Sequence, residues 1–233
     1  MEYDEGVSSL ERSPRRARKF AAKREAVLDA AMAIVIADGL AGLTLGKVAK
    51  ALDVAVGGLY RYFPSKEELV VGLQVRAIAR FGERLDAHVP AAPRSSGPIA
   101  LLRHVLAPFY FYARNALDDA DEHRLMDIML SNLDPSLSDA QARDVETVLG
   151  PILARAQTSL EAAAKAGALA KGDSRARTLL LWSGTHGLGH LRTRDRLESA
   201  AHRSDALLNA LFESLLVGFG ADPKHARKAA RPQ

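Results

Sequence analysis

The chain has 233 residues, 48% of them hydrophobic, enough for one ordinary domain or a small one joined to a medium one. It has no cysteine, which excludes a disulfide framework and thiolate chemistry, and no uninterrupted apolar run long enough to span a bilayer. Net charge is only +4, yet Arg12 to Lys66 holds eleven Lys or Arg against Glu25, Asp29, Asp38 and Asp53, a surplus of seven that leaves −3 elsewhere.

Residues 1–18 read as a basic, disordered arm. The densest charge lies at Arg12, Arg15, Arg16, Arg18, Lys19, Lys23 and Arg24. Two readings coexist: a solvated tail, or an arm that lies along a nucleic-acid backbone or enters a minor groove. Acidic first residues and the broken pattern that follows argue against a secretory signal, so a reducing cytoplasm is expected. A helix follows to about Asp38, with Phe20, Val27, Ala31, Ile34 and Val35 as its buried stripe and Gly39 as its stop. Thr44 is a good N-cap for a second helix carrying Leu45, Val48, Ala49 and Leu52 at helical spacing. Asp53 tolerates the left-handed turn, Val54 is expected to pack under it, and a short third helix points Leu59 and Phe63 inward and Tyr60, Arg61 and Tyr62 outward. Two helices joined this way make a helix-turn-helix, whose second helix fits the DNA major groove.

The stretch TLGKVAKALDVAVGGLYRYFPSK, residues 44–66, resembles the DNA-binding domain of the TetR family of bacterial transcriptional regulators. The likeness rests on Thr44, Val48-Ala49, Leu52 to Ala55, Gly57, Leu59 to Phe63, Ser65-Lys66-Glu67 and Leu69 in one register. Two positions depart from the family pattern: Asp53 replaces the turn glycine, and Ala55 replaces a serine that could cap the third helix and bind phosphate. The resemblance implies that Thr44, Tyr60, Tyr62 and Lys66 contact phosphates of double-stranded DNA. Tyrosine hydroxyls can donate to phosphate oxygens, and Lys66 adds charge at a helix start. Arg61 could read a guanine through two hydrogen bonds or merely hold phosphate. Lys47, like Lys50, suits a backbone contact or solvated charge. Gly57 and Gly58 permit close approach, while Ala55 and Val56 offer methyl contacts and leave much of the preference to DNA shape.

Ser65 and Glu68 form a capping-box pattern opening a helix through Leu69, Leu73, Ile78, Phe81 and Leu85, the expected link between an amino-terminal DNA-binding domain (19–66) and a second helical domain (67–222). A Pro- and Ser-rich loop spans His88 to Pro98. Helices are then expected over Ile99–Leu117 with a kink at Pro108, Glu122–Leu133, and Ser138–Ala166 with a bend at Gly150-Pro151. A helix capped by Asp173 reaches Leu191; another runs from Ser204 or Asp205 to near Gly220. Residues 223–233 read as a disordered basic tail. The fold class is all-α, about nine helices.

The last two long helices carry stripes wider than one buried face. Leu181-Trp182-Ser183-Gly184-Thr185-His186-Gly187-Leu188 also resembles a stretch of TetR-like proteins that builds a four-helix bundle with a partner subunit. The resemblance implies a homodimer with Leu181, Leu188, Leu208, Phe212, Leu215 and Phe219 at its interface. It also implies an effector pocket, for which Phe109, Tyr112, Met126, Met129, Trp182 and His186 are candidates, among neighbouring Tyr110 and Phe111. With no cluster of charge apparent, an apolar or aromatic effector is expected. His186 and His190 have a metal-binding spacing but lack a third ligand, and no nucleophile arrangement appears, so neither a cofactor nor an enzyme is expected. The functional expectation is a dimeric repressor of a palindromic operator, released by a small molecule. The alternative is an effector-independent DNA-organising protein of the same fold.

Overall fold

The computed structural model describes residues 14–90, 97–118 and 138–231. Helix α1 runs Pro14–Gly42 and buries Val27, Leu28, Ala31 and Val35, the spacing of one helical face. Its regular geometry breaks at Gly39, with φ 71° and ψ 175°, the stop that the sequence predicts. Residues 14–18, expected in the disordered arm, are helical and exposed. Arg, Lys and Ala are strong helix formers, and no glycine or proline interrupts the chain from Arg15 to Asp38.

Helix α2, Leu45–Ala51, is capped as expected: the Lys47 N–H donates to Thr44 Oγ1 at 3.2 Å. Its end is a Schellman closure. The Val54 N–H donates to the Ala49 carbonyl at 3.0 Å and the Asp53 N–H to the Lys50 carbonyl at 3.3 Å. Asp53 takes the left-handed conformation this requires, φ 52°. Val54 corrects the sequence reading. Its backbone closes the turn, but its side chain is 48% exposed rather than packed beneath it.

The expected third helix is a 3-10 turn, Val56–Gly58, followed by further tight turns to Tyr62. Ala55 provides no side-chain cap there, and each glycine weakens an α-helix by about 1 kcal/mol relative to alanine. Leu59 and Phe63 are nonetheless buried. Helix α3, Lys66–His88, follows, the Glu68 N–H donating to Ser65 Oγ at 3.2 Å. Glu67 and Glu68 lie in its first turn, where the helix dipole favours negative charge. A Cβ at Gly72 would stand 2.7 Å from the Phe63 ring and 3.2 Å from Leu28, so α3 approaches both closely there.

The chain divides into two compact units between Gln74 and Val75, within α3. The second unit contains the rest of α3, then α4 (Pro98–Asp118), α5 (Asp139–Lys165), α6 (Ser174–Leu191), α7 (Ser204–Gly218) and α8 (Pro223–Ala229), with 3-10 turns between α6 and α7. Helix α4 packs on α5, α6 and α8, and α7 packs on α6 and α8. Leu102, Leu106, Leu160, Leu181, Phe212 and Leu216 lie at the centre of this core. Among the described residues there are eight α-helices and no strand. The helix predicted over Glu122–Leu133 lies outside them.

Helix α4 continues through Pro108, and α5 through Gly150-Pro151. Proline disfavours the helical conformation before it partly by clashing with the preceding Cβ, which Gly150 lacks. One further expectation changes at the carboxyl terminus, whose residues 223–229 form α8 instead of a tail. The Asp222 carboxylate accepts from the Lys224 and His225 N–H groups at 2.9 and 3.0 Å, and Pro223 opens the helix. Ala226, Ala229 and Ala230 bury the small face. Tyr110 Oη donates to the Ala230 carbonyl at 2.6 Å and lies 2.7 Å from Asn209 Oδ1. Burial pushes its pKa up to about 12.

Candidate nucleic-acid interface and ligand cavity

The tight turn after α2 projects an exposed tip made of Ala55, Val56, Gly57, Gly58, Tyr60 and Arg61. Neither glycine serves the chain's own packing: a Cβ at Gly57 or Gly58 would meet nothing within 4 Å, and neither has positive φ. What holds this non-helical segment is α1. Phe20 and Arg24 share one α1 face, four residues apart. The Phe20 ring lies 4.9 Å from Tyr62, and the Arg24 guanidinium sits 4.8 Å over Phe63. Arg61 in turn lies 4.7 Å over the Tyr62 ring. Each cation–ring contact of this kind contributes about 0.5–1 kcal/mol at an exposed site. Anchoring by Phe20 and Arg24 is not visible in the motif itself; aromatic and basic residues at i, i+4 on α1 are the signal for it.

Thr44 is exposed, and its oxygen accepts the cap bond, leaving the hydroxyl hydrogen to donate outward. Lys47 Nζ pairs with Asp38 at 2.6 Å, both about half exposed, so its charge is partly neutralised. Lys66 begins α3 and is partly exposed. Exposed Arg15, Arg16, Arg18, Lys19 and Lys23 extend along the start of α1. Such charge is opposite in sign to what a helix amino terminus favours, and an anionic partner would relieve that conflict.

In the second unit, the structure brings together three of the residues predicted to line a pocket. Tyr112 Oη and His186 Nδ1 are hydrogen-bonded at 2.8 Å, and the Trp182 and His186 rings stack at 5.7 Å between centroids. Tyr112 lies in the walls of two cavities. One, of about 650 Å³, is also lined by Tyr110, His186, Leu188 and Leu208, with Arg114, Arg192, Arg196 and Arg203 facing it. The other is a narrow apolar space of about 50 Å³ among Phe81, Phe109, Ile152 and Trp182. Phe109 therefore belongs to the core side, 5% exposed and 6.4 Å from Phe212. Met126 and Met129 lie outside the described residues. The arginines are a cluster of charge that the sequence reading did not anticipate. Three of them follow α6 between Arg192 and Arg203 and the fourth, Arg114, lies near the end of α4, so only tertiary structure gathers them. Hydrogen bonds from the Ser204 backbone and hydroxyl, at 2.9 and 2.8 Å, hold the Asp195 carboxyl below its usual range. The His186 and His190 Nε2 atoms are 3.5 Å apart. Among the described residues, no group of three potential ligands could hold a metal, and no helix is long and apolar enough to cross a membrane.

The interface expectation also changes. Leu181 and Phe212 are fully buried within the single chain, and Leu208 and Phe219 keep 7% exposure each, so together they have little area to give to a partner. Leu188 and Leu215 are partly buried against the same core. The uncovered face lies one position over. On α6 it comprises Leu180 (53% exposed), Leu179, Ser183 and Gly187; on α7 it comprises Ala210, Ser214 and Val217.

A family model described as bacterial regulatory proteins, tetR family, matches residues 27–73, from the middle of α1 into α3. Residues 27–73 belong to the tetR family. Over 75 residues the chain is 43% identical to the HTH-type transcriptional repressor KstR of Mycolicibacterium smegmatis, covering 32% of this chain and 35% of that one. The chain thus spans about a third of the length of the curated relatives it matches. Among solved structures, RolR in complex with resorcinol superposes with a TM-score of 0.59 at 19% identity, over 93% of this chain and 97% of that one. The fatty acid degradation regulator FadR from Bacillus halodurans gives 0.60 at 18% identity, over 86% and 97%. At such identity these structures share the fold. The likeness covers the helical second unit as well as the first.

Proposed function

We propose that this chain is a tetR-type transcriptional repressor that binds a palindromic operator as a homodimer and is released by a small effector. The observation that carries it is the exposed tip with two glycines the fold does not need, flanked by Tyr60 and Arg61 and braced by α1, in the segment that matches the family. A single reading head buries too little surface for tight specific binding, so two are required, related by a two-fold axis. The uncharged faces of α6 and α7, on which Leu179, Leu180 and Val217 stand among small residues, suit a second copy. Gly184 already lets Leu211 approach closely, a Cβ there falling 2.6 Å from Leu211, so the two helices offer one continuous surface. The basic start of α1 adds phosphate contacts that position without specifying.

The 650 Å³ cavity is of the size small ligands occupy, and it favours a sensor over an effector-independent DNA-organising protein. An effector releases DNA only through its differential affinity for the two states. A hundredfold release requires about 2.7 kcal/mol.

Two substitutions separate the roles at the tip. Tyr60→Phe removes a hydroxyl donor to phosphate and is expected to weaken binding alike on every duplex. Arg61→Ala is expected to relax preference at one position in each half-site, by about 1–3 kcal/mol of lost discrimination. Affinity measured on operator variants at fixed salt distinguishes them. Equal losses on all sequences for Arg61→Ala would assign that residue to phosphate instead.

A further inference from the structure

The geometry points to an organic anion with an apolar body as the ligand of the arginine-lined cavity. This deepens the sensor reading above and rests on it. Four arginines (Arg114, Arg192, Arg196 and Arg203) face the cavity against two aspartates, Asp195 and Asp205. Both aspartates are engaged at the start of α7. Asp195 accepts from the Ser204 N–H and hydroxyl at 2.9 and 2.8 Å, and Asp205 accepts from the Ala206 N–H at 2.8 Å. Asp195 also offsets part of the charge of Arg192 and Arg203, yet a positive surplus remains. Inside a concave site, such a surplus raises the local concentration of anions and repels cations. Guanidinium groups present planar forks suited to carboxylate, sulfonate and phosphate oxygens.

The rest of the wall is of another kind. Leu188, Leu208, Tyr110 and Tyr112 also line it, and the Tyr112 hydroxyl is already hydrogen-bonded to His186 Nδ1 at 2.8 Å. The ligand's charge therefore sits with the arginines, and its ring or chain lies against the tyrosine side. Tyr112 also borders the small apolar space beside Trp182.

Fluorescence titration of the full chain with anilinonaphthalene sulfonate and with phenylnaphthylamine, the same rings without the sulfonate, tests this. The sulfonate is expected to bind about tenfold tighter or better at low salt. Arg114→Gln with Arg196→Gln should erase most of that difference and leave the neutral probe unchanged. Arg143→Gln, exposed on α5 away from the cavity wall, should alter neither. Gly189→Phe should exclude both probes, because a Cβ at this cavity-lining position meets nothing within 4 Å and its ring would fill the space. Thermal melts confirm that each variant folds. Equal affinity for the two probes would overturn the inference, as would a sulfonate preference that survives the double substitution or Gly189→Phe. Retention of duplex DNA by the same preparations is scored separately. DNA binding without anion preference removes only this inference; anion preference without DNA binding removes only the repressor reading.

Discussion

Gly58→Leu is expected to reduce operator binding about a hundredfold, roughly 2.7 kcal/mol, in a protein that melts no lower than the parent. The two halves of that expectation come from different observations. Within the chain, a Cβ at Gly58 meets nothing within 4 Å, and the backbone conformation is one that any residue adopts. Leucine also has a higher helix propensity than glycine, so the local turn loses nothing. In the proposed DNA complex, the same position lies at the tip that approaches base edges or phosphates, and a leucine side chain would hold the tip away. Gly57→Leu should behave alike. Fluorescence anisotropy with labelled operator, set beside a thermal melt, reads both halves. Parental affinity would mean that this surface does not face DNA, and a lower melting temperature would return the glycines to a structural role.

Phe212→Ala carries the largest expected loss of stability, about 3–5 kcal/mol. The side chain is fully buried in the single chain, 4.9 Å from the Tyr110 ring and 6.4 Å from Phe109. Removing it leaves a cavity where α4 and α7 meet, and packed helices close such space only in part. Leu180→Glu on α6 is the contrast. That residue is 53% exposed, so its replacement leaves the chain's own core intact. On the uncovered face, however, it places a charge in each copy of the proposed interface, where burying it unpaired is unfavourable. Chemical denaturation at fixed protein concentration should show the loss for Phe212→Ala. Sedimentation should show dissociation for Leu180→Glu. A dimer unaffected by Leu180→Glu would place self-association elsewhere.

These two residues also show where sequence reasoning ends. The α2 cap at Thr44, the left-handed Asp53, buried Leu59 and Phe63, and the Gly39 stop were all legible, because each follows from a local rule about one backbone position or one helical face. Helices α6 and α7 have apolar residues almost all round. Leu180 and Leu181 are neighbours in sequence but about 100° apart on the helix, and only packing decides which turns inward. The cavity arginines were hidden for a related reason: Arg114 is far from Arg192 in sequence, and the fold joins them. Helix α8 has its signal, Asp222 before Pro223, but its basic and alanine-rich composition reads as a tail, and only the fold shows that three alanines there are buried. Aromatic residues at the tip were recognisable. Their bracing by Phe20 and Arg24 needed the structure.

The central claim is that the tip around Tyr60 reads duplex DNA and is presented twice by a symmetric pair of chains. Sequencing the fragments that the purified full chain retains from a random duplex pool, across a salt series, tests it most directly. The expected result is enrichment of a two-fold symmetric motif with half-sites about one DNA turn apart or wider, held with an affinity that falls steeply with salt. Retained fragments with no shared motif, or an unsymmetric motif bound as well by a Tyr60→Phe, Arg61→Ala double variant, would contradict it.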